Sequence, residues 1–182
     1  MSATPIVLLS GRDLQRLLRP ETTIAALRKT YAALADSRGD QGRSVGFTVA
    51  GGSIHVKSGL LPGSHLAFAS KVNVNLPENA KLRGLPTIQG IVVVSEKDGR
   101  PLAVMDSIAL TGIRTAATAA LAAQYGARSD STRAAIIGCG AQATYQLEAL
   151  RSVFPLRAVR VLTSTGREPR PSPRPIANHT AL

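Results

Sequence analysis

The stretch RAAIIGCGAQATYQLEAL, residues 133–150, decides how this protein is read. An apolar run ends on Gly138; Gly140 and Ala143 follow at GxGxxA spacing, and the pattern then turns helical. Each small residue answers a physical demand. Gly138 permits a tight turn straight off a strand, Gly140 lets backbone approach a ligand with no Cβ in the way, and Ala143 lets the helix pack close on the strand. A helix starting here aims its first amide N–H groups and its dipole at an anion, so the spacing predicts a held pyrophosphate. The expected cofactor is therefore a dinucleotide, NAD or NADP.

Downstream, RAVRVLTST reads as a second parallel strand, giving β-α-β between about 133 and 163. At its end Thr163, Ser164 and Thr165, with Arg167 beyond, supply no carboxylate for a ribose diol, which tilts the choice toward NADP. From Ser164 the composition changes, with Pro169, Pro171, Pro173 and Pro175 forbidding helix and central strand. Residues 164–182 are expected to be a disordered Pro/Arg-rich tail, arising either from a reading-frame change or as a true interaction segment. A complete doubly wound domain needs five or six strands with their helices, so the dinucleotide domain is expected to be incomplete and the protein truncated at its C-terminal end.

Upstream the organisation differs. Ile6 to Leu9 reads as a short strand, followed by a helix capped by Ser10 with Leu14, Leu17 and Leu18 on one face. Ile24, Leu27, Tyr31 and Leu34 recur at helical spacing in a second helix that Gly39 ends. From Arg43 to Val94 the period becomes that of strands, with a hairpin turning at Lys97, Asp98 and Gly99. Three or more strands there predict an antiparallel sheet. Residues 108–126 form an Ala-rich helix closed by Gly126. The fold class is therefore α/β: an N-terminal α+β substrate and dimerisation domain over 1–128, then the first β-α-β of a Rossmann domain over 129–163.

Composition narrows the function. The net charge of +11 admits a nucleic-acid surface, but the basic residues are spread along the sequence and aromatic residues are only 3%, so no stacking platform accompanies them. Nucleic acid is excluded as an expected partner. No apolar run approaches the length that spans a bilayer, and no membrane partner is expected. Cys139 is the only cysteine; it fills a small-residue place between two glycines, and the low cysteine usage fits a reducing, cytoplasmic location. No metal site is expected.

Three cations stand where a purely structural role is not obvious: Lys71 in the alternating strand FASKVNVN, Arg114 at the start of an otherwise small and uncharged helix, and Arg43 just before the first sheet strand. Each alone reads equally as a snorkelling surface residue. Together they read as a clamp for a carboxylate, with Arg offering a bidentate fork and Lys a point charge.

The segments SKVNVNLPEN, GLPTIQGIVVVSEKDGRPLAVMDS, IRTAATAALAAQY and IIGCGAQATYQLEAL, in this order, resemble the ornithine cyclodeaminase/mu-crystallin family, which also holds archaeal-type alanine dehydrogenases and cyclic ketimine reductases. The resemblance covers about residues 6–162. It implies a homodimer and an NAD(P)-dependent hydride transfer at the Cα of a small amino or imino acid: ornithine cyclodeamination to proline with ammonia release, or alanine dehydrogenase or ketimine reductase chemistry. It implies that Arg43, Lys71 and Arg114 hold the substrate carboxylate, that Lys71 is catalytic beside the reacting carbon, and that Gly138, Gly140, Ala141, Gln142 and Ala143 cradle the pyrophosphate. Two departures stand out. Gly59 occupies the place of a Glu usual in ornithine cyclodeaminases, and the family's catalytic Asp would belong to the later Rossmann half. The alternative is a non-catalytic ligand-binding or dimer-forming member of the same family.

Overall fold

A computed structural model describes residues 5–36, 42–60 and 66–163. The Pro-rich segment expected after Ser164, the helix stop expected at Gly39, and Thr165 and Arg167 lie outside the described residues.

Strand β1 (Val7–Leu9) enters helix α1 (Gly11–Leu17) through a capping box. The Ser10 hydroxyl accepts from the Asp13 amide at 3.3 Å, and the Asp13 carboxylate accepts from the Ser10 amide at 2.9 Å, so two orphan donors of the first turn are met. The Ser10 hydroxyl also donates to the Asp13 carboxylate at 2.6 Å, and this bond, followed by that from the Ser10 amide, holds the Asp13 carboxyl below its ordinary range. Helix α2 (Pro20–Asp36) starts on proline, whose missing N–H costs nothing at a first helical position.

A meander follows, formed by β2 (Arg43–Val49), β3 (Gly52–Leu60), β4 (Leu66–Asn75), β5 (Ile88–Glu96) and β6 (Pro101–Asp106), with a one-turn helix α3 (Asn79–Leu82) between β4 and β5. All neighbours in this meander are antiparallel, as the sequence predicts. Strand β1 completes the sheet by pairing in parallel with β6, giving the order β1-β6-β5-β4-β3-β2. The β5–β6 turn lies where expected. Gly99 adopts φ +87°, which only glycine takes at little cost, and Arg100 binds Asp98 and Glu96 beside it.

Asp106 then caps α4 (Ser107–Gly126), its carboxylate accepting from the Ala109 amide at 2.7 Å. Small residues let α4 become the packing centre. Ala116, Ala117 and Ala120 are almost wholly buried and join Ile24 of α2 and Leu121 in one cluster; Ala109 and Ile113 join Leu14 of α1 in another. Burying a side chain the size of Leu14 or Ile24 contributes roughly 1.5–3 kcal/mol.

A second, two-stranded parallel sheet is formed by β7 (Arg133–Ile137) and β8 (Ala158–Leu162), connected through α5 (Ala141–Arg151), the expected β-α-β unit. It attaches to the rest through α4. Tyr145 of α5 packs against both apolar clusters, and its ring lies so close to Gly112 that a Cβ there would meet ring carbons 2.5 Å away. The Tyr145 hydroxyl accepts from Gln15 of α1 at 3.2 Å.

Candidate functional site

Register assigns every strand residue to a face, because opposed residues share a face and successive ones alternate. Lys57, Lys71, Val92, Met105 and Leu9 oppose one another across five strands and form one face. Val92 is buried there, while Leu9 and Met105 pack on the α1–α4 cluster, so this is the inner, helix-covered face. Arg43, Ser58, Ser70, Val93, Val104 and Leu8 lie on the other.

The inner face is tied to α4 by one buried bond. Ser107, fully buried, donates its hydroxyl to Asn73 Oδ1 at 2.7 Å. Gly90 opposes Asn73 on β5, and a Cβ at Gly90 would fall on the Val72 carbonyl oxygen and the Asn73 side chain. Glycine is what lets β5 and β4 approach while Asn73 reaches across. Two buried polar atoms near this junction, Asn75 Oδ1 on β4 and Thr111 Oγ1 on α4, have no hydrogen-bond partner among the described residues.

Lys71 lies half-buried on this face, two residues before Asn73. Burial depresses its pKa below the ordinary lysine value, and the positive charges of Arg114 and Lys57 depress it further. The structure thus brings two of the three predicted cations into one field. Arg43 is not brought with them: it is exposed at the first position of edge strand β2, and its register with Ser58 points it to the opposite face. Lys57, to which no local sequence pattern points, stands beside Lys71 instead. Its phase relative to Lys71 exists only once β3 and β4 are in register. Asn73 and Asn75 had a readable signal, since K-x-N-x-N in an alternating strand already places them on the lysine's face.

The glycine turn has the geometry its spacing demands. Gly138 adopts φ +98°, and its amide donates to the Leu162 carbonyl at 2.7 Å, fastening the end of β7 to the end of β8. Gly140 is the N-cap of α5 in extended conformation, with Ala141 and Gln142 exposed in the first turn and Ala143 half-buried beneath. Among the described residues, an added Cβ at Gly138 or Gly140 meets nothing within 4 Å, so none of them fills the space in front of either. Bare backbone before an 11-residue helix N-terminus fits a pyrophosphate, whose charge the dipole and the leading amides would meet. Cys139 is exposed between the two glycines.

Among the described residues no cluster of three or more His, Cys, Asp or Glu side chains is arranged to hold a metal ion. No described helix is long and apolar enough to cross a membrane.

These features define a class: a mixed α/β protein in which a cationic sheet face and a glycine-turn β-α-β unit meet on one long helix. The chain belongs to the ornithine cyclodeaminase/mu-crystallin family, whose model matches residues 47–171, well over half of its length. Its similarity to alanine dehydrogenase of Archaeoglobus fulgidus is 41% identity over 101 residues, 55% of this chain and 31% of that one. Among solved structures it superposes on an archaeal alanine dehydrogenase dimer with bound NAD at TM-score 0.79 and 30% identity, covering 87% of this chain and 48% of that one. It also superposes on Thermococcus litoralis Δ1-pyrroline-2-carboxylate reductase in complex with NADH and L-proline, at TM-score 0.81 and 31% identity, covering 87% and 50%. The chain spans about half the length of these solved relatives.

Proposed function

We propose that this protein supplies the substrate cations and the phosphate turn of an NAD(P)-dependent enzyme acting at the Cα of a small amino or imino acid, as in alanine dehydrogenase, ketimine reductase or ornithine cyclodeaminase chemistry. The observation that carries this reading is the role of α4. Arg114, which acts on Lys71, sits two residues beyond Gly112, the seat of Tyr145 from the phosphate-facing helix. One rigid element therefore sets the spacing between a bound carboxylate and a bound pyrophosphate.

In this reading residues 1–128 bind substrate and dimerise, and residues 129–163 begin the cofactor domain. Arg114 and Lys71 hold the substrate carboxylate. Lys71, with its proton affinity lowered, also exchanges a proton at the amino or imino nitrogen or positions a water there. Arg43, on the opposite face of the sheet, has no part in this clamp. Gly138, Gly140, Ala141, Gln142 and Ala143 receive the pyrophosphate, and the nicotinamide supplies or accepts the hydride when bound. The homodimer forms through the outer sheet face, where Leu8, Val45, Phe47, Leu60, Val72 and Ile91 are exposed together. That a solved relative is a dimer supports this assignment.

The test is nicotinamide absorbance on mixing the protein with NAD or NADP and an amino acid, run beside calorimetric binding. Turnover or amino-acid binding that Lys71→Ala and Arg114→Ala each abolish is the expected result. Binding indifferent to both substitutions overturns the clamp, and binding without turnover assigns the protein a ligand-holding role.

A further inference from the structure

Lys57 stands directly opposite Lys71 in the β3–β4 register. Cβ atoms so opposed lie about 5 Å apart, and like charges in that position destabilise a sheet. Among the described residues nothing close by offsets the repulsion. The residues sharing the face on these two strands include Ser53, His55, Asn73 and Asn75, and α4 contains no acidic residue along its length. The carboxylates that follow on β5 and β6 are engaged elsewhere: Glu96 with Arg100 at 3.1 Å, and Asp106 with the Ala109 amide at 2.7 Å. Arg114 adds a third positive charge to the same field. A single substrate carboxylate, taken by an Arg fork and one Lys, leaves Lys57 without a counter-charge. Beside it, Gly59 lies on the same face with no side chain, and among the described residues a Cβ added there would meet only the Gly42 Cα at 3.6 Å, so none of these residues takes the room for a longer ligand.

We propose that this face takes a doubly negative substrate, an amino or imino dicarboxylic acid, with Lys57 receiving the distal carboxylate while Lys71 and Arg114 hold the one beside the reacting carbon. This rests on the carboxylate clamp of the preceding section and adds the substrate class. The same charge arrangement rejects a diamino acid, whose terminal ammonium would be set against Lys57.

The test is calorimetric titration of the full-length protein, in the presence of NAD, with L-aspartate, L-alanine and L-ornithine. L-Aspartate should bind at least tenfold more tightly than L-alanine, with L-ornithine weakest. Lys57→Gln should bring aspartate down to the level of alanine, whereas Lys29→Gln, an exposed lysine on α2, should leave the preference intact. Equal affinities in the unmodified protein, or a preference that survives Lys57→Gln, or one lost equally with Lys29→Gln, overturns the dicarboxylate assignment while the clamp stands. If none of the three amino acids binds, clamp and assignment fall together.

Discussion

The two faces of the six-stranded sheet are built from the same strands and share almost nothing else. The inner face carries Lys57, Lys71, Asn73 and Asn75 beneath or beside α4; the outer one presents exposed Phe47, Val72 and Ile91. A period of two is enough to produce this separation where β2, β3 and the second half of β4 alternate polar or charged residues with apolar ones. The difference teaches that the proposed binding chemistry and the proposed association surface would be carried by neighbouring residues yet stay physically insulated by the thickness of a sheet. A substitution on one face should therefore leave the other's property intact.

The strongest way to break the inner face is Gly90→Ala. The added Cβ collides with β4 backbone, which cannot swing aside as a side chain does, and a loss of at least about 3 kcal/mol is expected from the urea midpoint. Gly112→Ala comes next, pushing Tyr145 off α4 at a cost of about 2 kcal/mol and weakening NAD binding with it. Ser107→Ala leaves Asn73 Oδ1 buried without its donor and should cost about 1.5 kcal/mol in the same urea titrations. The outer face sharpens the comparison by contrast. Phe47→Lys, on exposed β2, should change folding stability by no more than about 0.5 kcal/mol while sedimentation velocity shows dimer giving way to monomer. If stability collapses instead, the faces are not independent.

The smallest effect expected is one of pH. Because Lys71 has a depressed pKa in the folded protein, the unfolded state holds the extra proton between that depressed value and the ordinary 10.5. Stability therefore rises with pH across that window, and below it the cost of the charged, partly buried lysine is present in full. Lys71→Met should melt above the unmodified protein at pH 7, with the gap narrowing as pH climbs toward 10.5. A gap that stays constant with pH means that burial and its neighbours do not perturb Lys71.

Much of this was legible in the sequence wherever the signal was local. Ser10 before an apolar periodicity announced the α1 cap, Lys97-Asp98-Gly99 announced the hairpin, and GxGxxA after an apolar run announced β7, turn and α5. What was illegible depended on pairings between distant segments. The strand β1 was expected, but its parallel partnership with β6 has no local mark. Helix α3, four residues long, is too short for any period to show. The grouping of Arg43 with Lys71 failed for the same reason: alternation orders faces within a strand, and only register relates one strand's faces to the next.

The bond from the Gly138 amide to the Leu162 carbonyl gives the glycine turn a history as well as a shape. The turn's residues are contiguous, but the strand end that fastens them is made two dozen residues later, at the far side of α5. During synthesis from the N-terminus the sheet carrying Lys71 and the capped start of α4 emerge first and can pair at once. The cation face is ready early, and the glycine turn remains unfastened until β8 has left the ribosome.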